Sequence, residues 1–128
     1  MKLLLDTCTF LWLNGDVEHL PARVLQALES TENELFLSVA SAWEITIKFS
    51  AGSLRLPEEP SKWLPSRREL NGIVSMPVSE EATLHLAKLP VFHKDPFDRI
   101  LVCQAILEGL AIVTPDPLIG QYPVRVLW

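Results

Sequence analysis

The chain has 128 residues, 48% of them hydrophobic, which suits one domain (1–128) with its own core and leaves little room for a second. Its two cysteines form no CxxC pair, no apolar run approaches the ~18 residues of a membrane span, and Met1-Lys2 leads straight into a strand pattern, so a zinc cluster, a membrane anchor and a secretory leader are not expected and a soluble cytoplasmic protein is. The formal charge of −5 argues at first against a nucleic-acid partner, but five acids gathered below into one site account for all of it.

The first predicted element is a short buried strand at 2–5, KLLL, followed at once by Asp6. A helix over 21–30 follows Leu20-Pro21, with Val24, Leu25 and Leu28 apolar. A second strand, LFLS, spans 35–38, and a helix over 39–51 carries Ala42, Ile45 and Phe49 on one face before Gly52. Residues 60–70 form a weaker helix with Pro60 and Pro65, and IVSM at 73–76 is a third strand closed by Pro77. The helix over 79–89 opens on a Ser cap and two glutamates, which favour the positive end of the helix dipole. Residues 96–108 start at Pro96 and stop before Gly109, the usual asymmetry of helix ends. LAIVT at 110–114 and VRVLW at 124–128 are the last two strands. Strand and helix alternate throughout, which predicts an α/β, doubly wound domain with a mostly parallel central sheet flanked by helices.

The acids fall where such a fold has its ligand edge. Asp6 follows the first strand and Asp116 the fourth; Glu44 lies early in the helix after the second strand; Asp95 and Asp98 open the helix at Pro96. In a parallel sheet the carboxyl ends of strands and the starts of the following helices share one edge. Each acid also has a structural reading of its own. Asp95 and Asp98 have the spacing of a helix cap, Ser41 and Glu44 that of a capping box, Glu44 can pair with Lys48, and Asp116 stands in a turn. Asp6 has the weakest such reading. Capping explains the acids singly and leaves their convergence unexplained. Gathered carboxylates repel unless a cation or protons neutralise them. Oxygen donors without His or Cys suit Mg²⁺ or Mn²⁺. The open positions of such an ion can take a phosphate oxygen and a water, and no Ser, Cys or Lys sits in an activating context. Lys48, Arg55, Lys62, Arg67 and Arg68 could meet a phosphate backbone, and a solvated helix face fits them equally. Both cysteines, Cys8 and Cys103, read as small buried hydrophobes, and Trp12, Trp43 and Trp63 as core or interface.

Four segments occur in family order: LLLDTCTFLW at 3–12, SAWEITIK at 41–48, HKDPFDRILVCQA at 93–105 and IVTPD at 112–116. Together they resemble the PIN-domain ribonucleases, in particular the VapC-like toxins of type II (VapBC) toxin–antitoxin systems. The resemblance implies a PIN-like fold and a Mg²⁺- or Mn²⁺-dependent endoribonuclease that hydrolyses RNA phosphodiesters with metal-activated water. It implies that Asp6, Glu44, Asp98 and Asp116 form the catalytic, metal-binding quartet, with Asp95, Thr114, Thr7 and His93 as auxiliary residues. Arg99 in the same motif reads as structural. The implied partners are an RNA substrate, a cognate antitoxin protein and a second copy of the chain, with DNA reached only through the antitoxin. Cys8 departs from the pattern, standing where relatives often carry His.

Three rival readings fit less well. A haloacid-dehalogenase-type phosphatase wants a second Asp at position 8, where Cys8 stands. A receiver-like signalling domain wants adjacent acids after the first strand, where Thr7 follows Asp6. A catalytically inactive interaction domain has no need of an intact quartet.

Overall fold

The computed structural model describes all 128 residues. Five strands form one sheet: β1 (Lys2–Leu5), β2 (Glu34–Ser38), β3 (Ile73–Met76), β4 (Ala111–Val113) and β5 (Arg125–Leu127). The order across the sheet is β3-β2-β1-β4-β5, and every neighbouring pair is parallel. The expected doubly wound α/β fold is what the chain adopts.

The central strand explains the apolar run at its start. Leu3, Leu4 and Leu5 are all fully buried. Side chains alternate across a strand, so both faces of β1 must be covered. Leu3 and Leu5 join one core layer with Phe10, Val24, Leu28, Ile45, Trp63 and Leu64. Leu4 joins the other with Ala40, Ala82, Leu101, Val102 and Ile119. The first layer is supplied by helices α1 (Thr7–Leu13), α2 (Ala22–Glu29) and α4 (Pro60–Leu70). The second is supplied by α5 (Glu80–His85) and α6 (Pro96–Glu108). Helix α3 (Val39–Ser50) serves both, through Ile45 on one side and Ala40 on the other.

Helix ends follow local chemistry. Ser38 caps α3 by accepting from the Ala40 amide at 3.0 Å, and its hydroxyl donates to buried Gln104 at 2.6 Å. The cap is thus Ser38, and Ser41 lies inside the helix. Ser79 caps α5 as its sequence suggests. Helix α6 begins at Pro96 and ends at Gly109 in the left-handed conformation, φ 69°, which a glycine adopts without strain. Helix α1 is absent from the sequence-based expectation. Its residues, TCTFLWL, are mostly β-branched or aromatic and read as strand-compatible. The helix forms because Asp6 caps it, accepting from the Thr9 amide at 2.9 Å. No helix is long and apolar enough to cross a membrane.

Candidate active site

Strands β1 and β4 lie side by side, with Leu5 opposite Val113. Each is followed by one acid of the expected quartet, so the sheet brings Asp6 and Asp116 to the same edge at its topological switch point. Glu44 is added from the second turn of α3 and Asp98 from the first turn of α6. All four line one cleft of about 190 Å³, together with Thr7, Cys8, Leu11 and Lys48.

The four carboxylates are held differently. Asp6 is buried and spends one oxygen on the α1 cap, while the Cys8 thiol lies 3.4 Å from both of its oxygens. The acid with the weakest structural reading therefore has a structural task as well. Glu44 is buried; Thr7 Oγ1 donates to its Oε1 at 2.6 Å, and Lys48 Nζ meets its Oε2 at 2.6 Å. Asp98 meets His93 Nε2 through Oδ2 at 3.1 Å. Asp116 accepts from the Leu118 amide at 2.8 Å, and its own amide donates to Thr114 Oγ1 at 3.1 Å.

Burial and mutual repulsion set the charges. Burial raises the Asp6 carboxyl above its ordinary value, and hydrogen bonds from Thr114, Thr9 and Cys8 draw it partly back. Burial, with the nearby charges of Asp95 and Asp116, lifts Asp98 to about 6 against the pull of His93. Cys8 is pushed up to about 12, first by burial and then by Asp6, so it stays a thiol and donates. The hydrogen bond to Glu44 raises Lys48, which keeps its charge. Four carboxylates thus face one ammonium across a small cleft.

That imbalance is what a divalent cation would relieve. Ligand atoms of Asp98, Asp116 and His93 lie within 4.8 Å of one another. Asp6 and Glu44 line the same cleft outside that tight group. The donor set is oxygen-rich, so a hard octahedral ion such as Mg²⁺ or Mn²⁺ fits it better than zinc.

The auxiliary residues separate clearly. Thr7 binds Glu44, and buried Thr114 stands between Asp6 and Asp116 through its hydrogen bonds. His93 touches Asp98 directly. Asp95 is exposed and caps α6, accepting from the Phe97 and Asp98 amides at 2.9 and 3.1 Å. It shapes the site by its charge and lines no part of the cleft. Cys8 corrects the reading of both cysteines as buried packing: only Cys103 is fully buried, while Cys8 is half-buried at the cleft wall. Lys48 entered the sequence reading as a pairing partner and a phosphate-binding candidate; the structure adds that it lines the cleft. Of the tryptophans, Trp63 is core and Trp12 packs partly buried, but Trp43 is 63% exposed.

Known proteins share the fold of this chain. Ribonuclease VapC16 of Mycobacterium tuberculosis is 34% identical over 58 residues, a match covering 45% of this chain and 41% of that protein's length. In fold, the chain resembles one in the VapBC2 complex of Rickettsia felis bound to a DNA fragment from their promoter, with TM-score 0.74, 15% identity, and 99% and 98% of the two chains covered. It also resembles one in DNA-bound VapBC of Salmonella typhimurium, with TM-score 0.68, 18% identity, and 99% and 97% covered. The family model for the PIN domain matches residues 3–123, from the first leucine of the central strand to just before the last strand, and the chain belongs to that family.

Proposed function

We propose that the protein is a Mg²⁺- or Mn²⁺-dependent endoribonuclease acting in the cytoplasm as the toxin of a type II toxin–antitoxin pair, with Asp6, Glu44, Asp98 and Asp116 as its catalytic and metal-holding residues. The observation that carries the reading is the convergence of four carboxylates, from four separate segments, on one cleft at the carboxyl edge of the sheet. VapC16, a ribonuclease by name, and the VapBC complexes among the structural neighbours point the same way.

When bound, the ion would supply Lewis acidity toward the scissile phosphate and an activated water. The chain's own residues do the rest. Asp98 and Asp116, whose oxygens lie within 4.8 Å of each other, would hold the ion. Asp6 is fixed by its cap and by the sheet edge, so its carboxylate cannot wander. Thr7 orients Glu44 with a short hydrogen bond. Lys48 supplies the only positive charge in the cleft wall, where a phosphate must arrive against net negative charge.

The reading extends to partners: a cognate antitoxin, RNA as substrate, and a second copy of the chain. An apolar groove of about 420 Å³ between α3, α5 and α6, lined by Val39, Trp43, Leu86 and Phe97 among others, supports a contact surface. Exposed apolar area of this kind marks association sites. The primary test is incubation of the purified protein with RNA, with Mg²⁺ or Mn²⁺ and with EDTA. Cleavage that requires metal is expected. Undiminished cleavage in excess EDTA would remove the metal mechanism, and no cleavage of any RNA class would remove the nuclease. Expression alone should arrest bacterial growth, and co-expression of the neighbouring reading frame should restore it.

A further inference from the structure

We propose that Tyr122 locks the His93 ring in one tautomer, with the proton on Nε2, and that His93 is thereby a positioning residue that holds Asp98 by donation and does not ligate the metal.

The protons around one oxygen, the Tyr122 hydroxyl, fix the tautomer. Tyr122 is buried and follows the 3₁₀ turn at Ile119–Gln121. Its hydroxyl oxygen faces three N–H donors: Arg99 Nη1 at 3.1 Å and the amides of Phe92 and His93 at 3.3 Å. A hydroxyl oxygen has two lone pairs, so its accepting capacity is already filled. Its one proton must go to an acceptor. Two are in reach, His93 Nδ1 at 2.8 Å and the His93 carbonyl at 3.5 Å, and only the first has good hydrogen-bond length. Nδ1 is therefore the lone-pair nitrogen, and the ring proton sits on Nε2. That nitrogen is 3.1 Å from Asp98 Oδ2 and donates to it.

The arrangement is braced from outside the cleft. Arg99 is tied to the Pro90 carbonyl at 2.8 Å while its guanidinium reaches the Tyr122 hydroxyl. The Phe92 ring packs edge-on against Tyr122 at 5.0 Å. Nothing else in the protein bonds the Asp98 carboxylate, so His93 alone fixes its rotation and leaves Oδ1 without a protein partner. An Nε2 that carries a proton has no lone pair for a cation, although it stands within 4.8 Å of the Asp98 and Asp116 oxygens. Groups that orient a ligating side chain in this way typically contribute 10–100-fold in metal affinity.

The inference rests on the metal-site reading above, and its test separates the two. Ring-nitrogen NMR of the metal-free protein, with the His93 signals assigned by their loss in His93→Gln, should show Nε2 protonated and Nδ1 bare. Tyr122→Phe should release the ring into a mixture of tautomers. Calorimetric titration with Mn²⁺ should show binding weakened about 10-fold or more in His93→Leu. His93→Gln, whose side-chain amide N–H can replace Nε2–H, should stay within a few-fold of the parent. A proton on Nδ1 in the parent, or Gln as damaging as Leu, would overturn the inference. Absence of Mn²⁺ binding by the parent would instead sink the metal-site reading, while the spectrum, taken without metal, still decides the tautomer.

Discussion

Lys48 Nζ stands 2.6 Å from Glu44 Oε2, one helical turn away on α3, and places an ammonium inside an otherwise acidic cleft. The Lys48 side chain is 52% exposed and that of Glu44 only 9%, so the lysine can leave for solvent or substrate while the glutamate stays. In the absence of metal the pair lowers the cleft's self-repulsion. Lys48→Gln should therefore destabilise the metal-free protein modestly, by about 0.2–1 kcal/mol, as befits a half-exposed pair. The same change should tighten Mn²⁺ binding several-fold, because a competing cation is gone. Thermal melts in EDTA and a Mn²⁺ titration check both signs. Weaker Mn²⁺ binding would mean that Lys48 supports the ion site rather than substituting for it.

Asp6→Asn, Glu44→Gln, Asp98→Asn and Asp116→Asn should each reduce RNA cleavage by about 100-fold or more while circular dichroism stays that of the parent. Asn is as good an N-cap as Asp, so Asp6→Asn should keep α1. Two or more variants with parental turnover would dismiss the quartet.

The raised carboxyls give the metal-free protein a pH signature. Asp98 titrates at about 6 in the folded state against an ordinary value of 3.8, and Asp6 is shifted the same way. Both bind protons more tightly folded than unfolded. Their contribution to stability is full below the ordinary value and is lost as pH rises through about 6. In EDTA the stability, and with it the melting temperature, should rise as pH falls from about 7.5 to about 5, by on the order of 1 kcal/mol for Asp98 once the screening of its part-exposed carboxyl is allowed for. Asp98→Asn should flatten that slope. Adding Mn²⁺ should reverse it, since a cation favours the charged forms. A flat profile for the parent in EDTA would show that the cleft is not desolvated.

Asp95 should behave as a cap. Asp95→Ala should cost about 1 kcal/mol of stability, measured by denaturant titration, and Asp95→Asn almost nothing. Cleavage should fall far less in either than in the quartet variants. A quartet-sized loss in Asp95→Asn would place the residue in the chemistry.

Light scattering should give twice the 14.4 kDa chain mass at micromolar concentration. Trp43, exposed beside Phe97 at a ring separation of 5.2 Å, is the natural contact, and Trp43→Glu should yield monomer. A monomeric parent would dismiss self-association.

Some of this was legible in the sequence and some was not. The strands could be read because runs such as Leu3-Leu4-Leu5 have one physical meaning when bounded by turns. The convergence of the four acids could be read because each sits at a strand end or an early helix turn, positions that a parallel sheet collects. Glu44 and Lys48 were visible as an i,i+4 pair. Helix α1 was hidden because Asp6 overrides the β-preferring residues that follow it. Tyr122 was hidden for a different reason: it meets His93 across 29 residues, with no periodic pattern to announce the contact. Cys8 was read as packing because sequence alone does not say which wall of a cleft a half-buried thiol will face.

The Asp6 amide donates to the Val113 carbonyl at 3.2 Å, and Thr9 Oγ1 donates to the same carbonyl at 2.9 Å. The innermost acid of the cleft is thus stitched to the ladder between β1 and β4, under three fully buried leucines. Its amide can exchange with solvent only when those strands part, an event that opens both core layers at once. Asp116 lies past the end of β4, outside the ladder, and itself makes two local hydrogen bonds, to Thr114 and Leu118. Hydrogen exchange should therefore grade the cleft from one side to the other, with one wall as durable as the whole fold and the opposite wall free to yield.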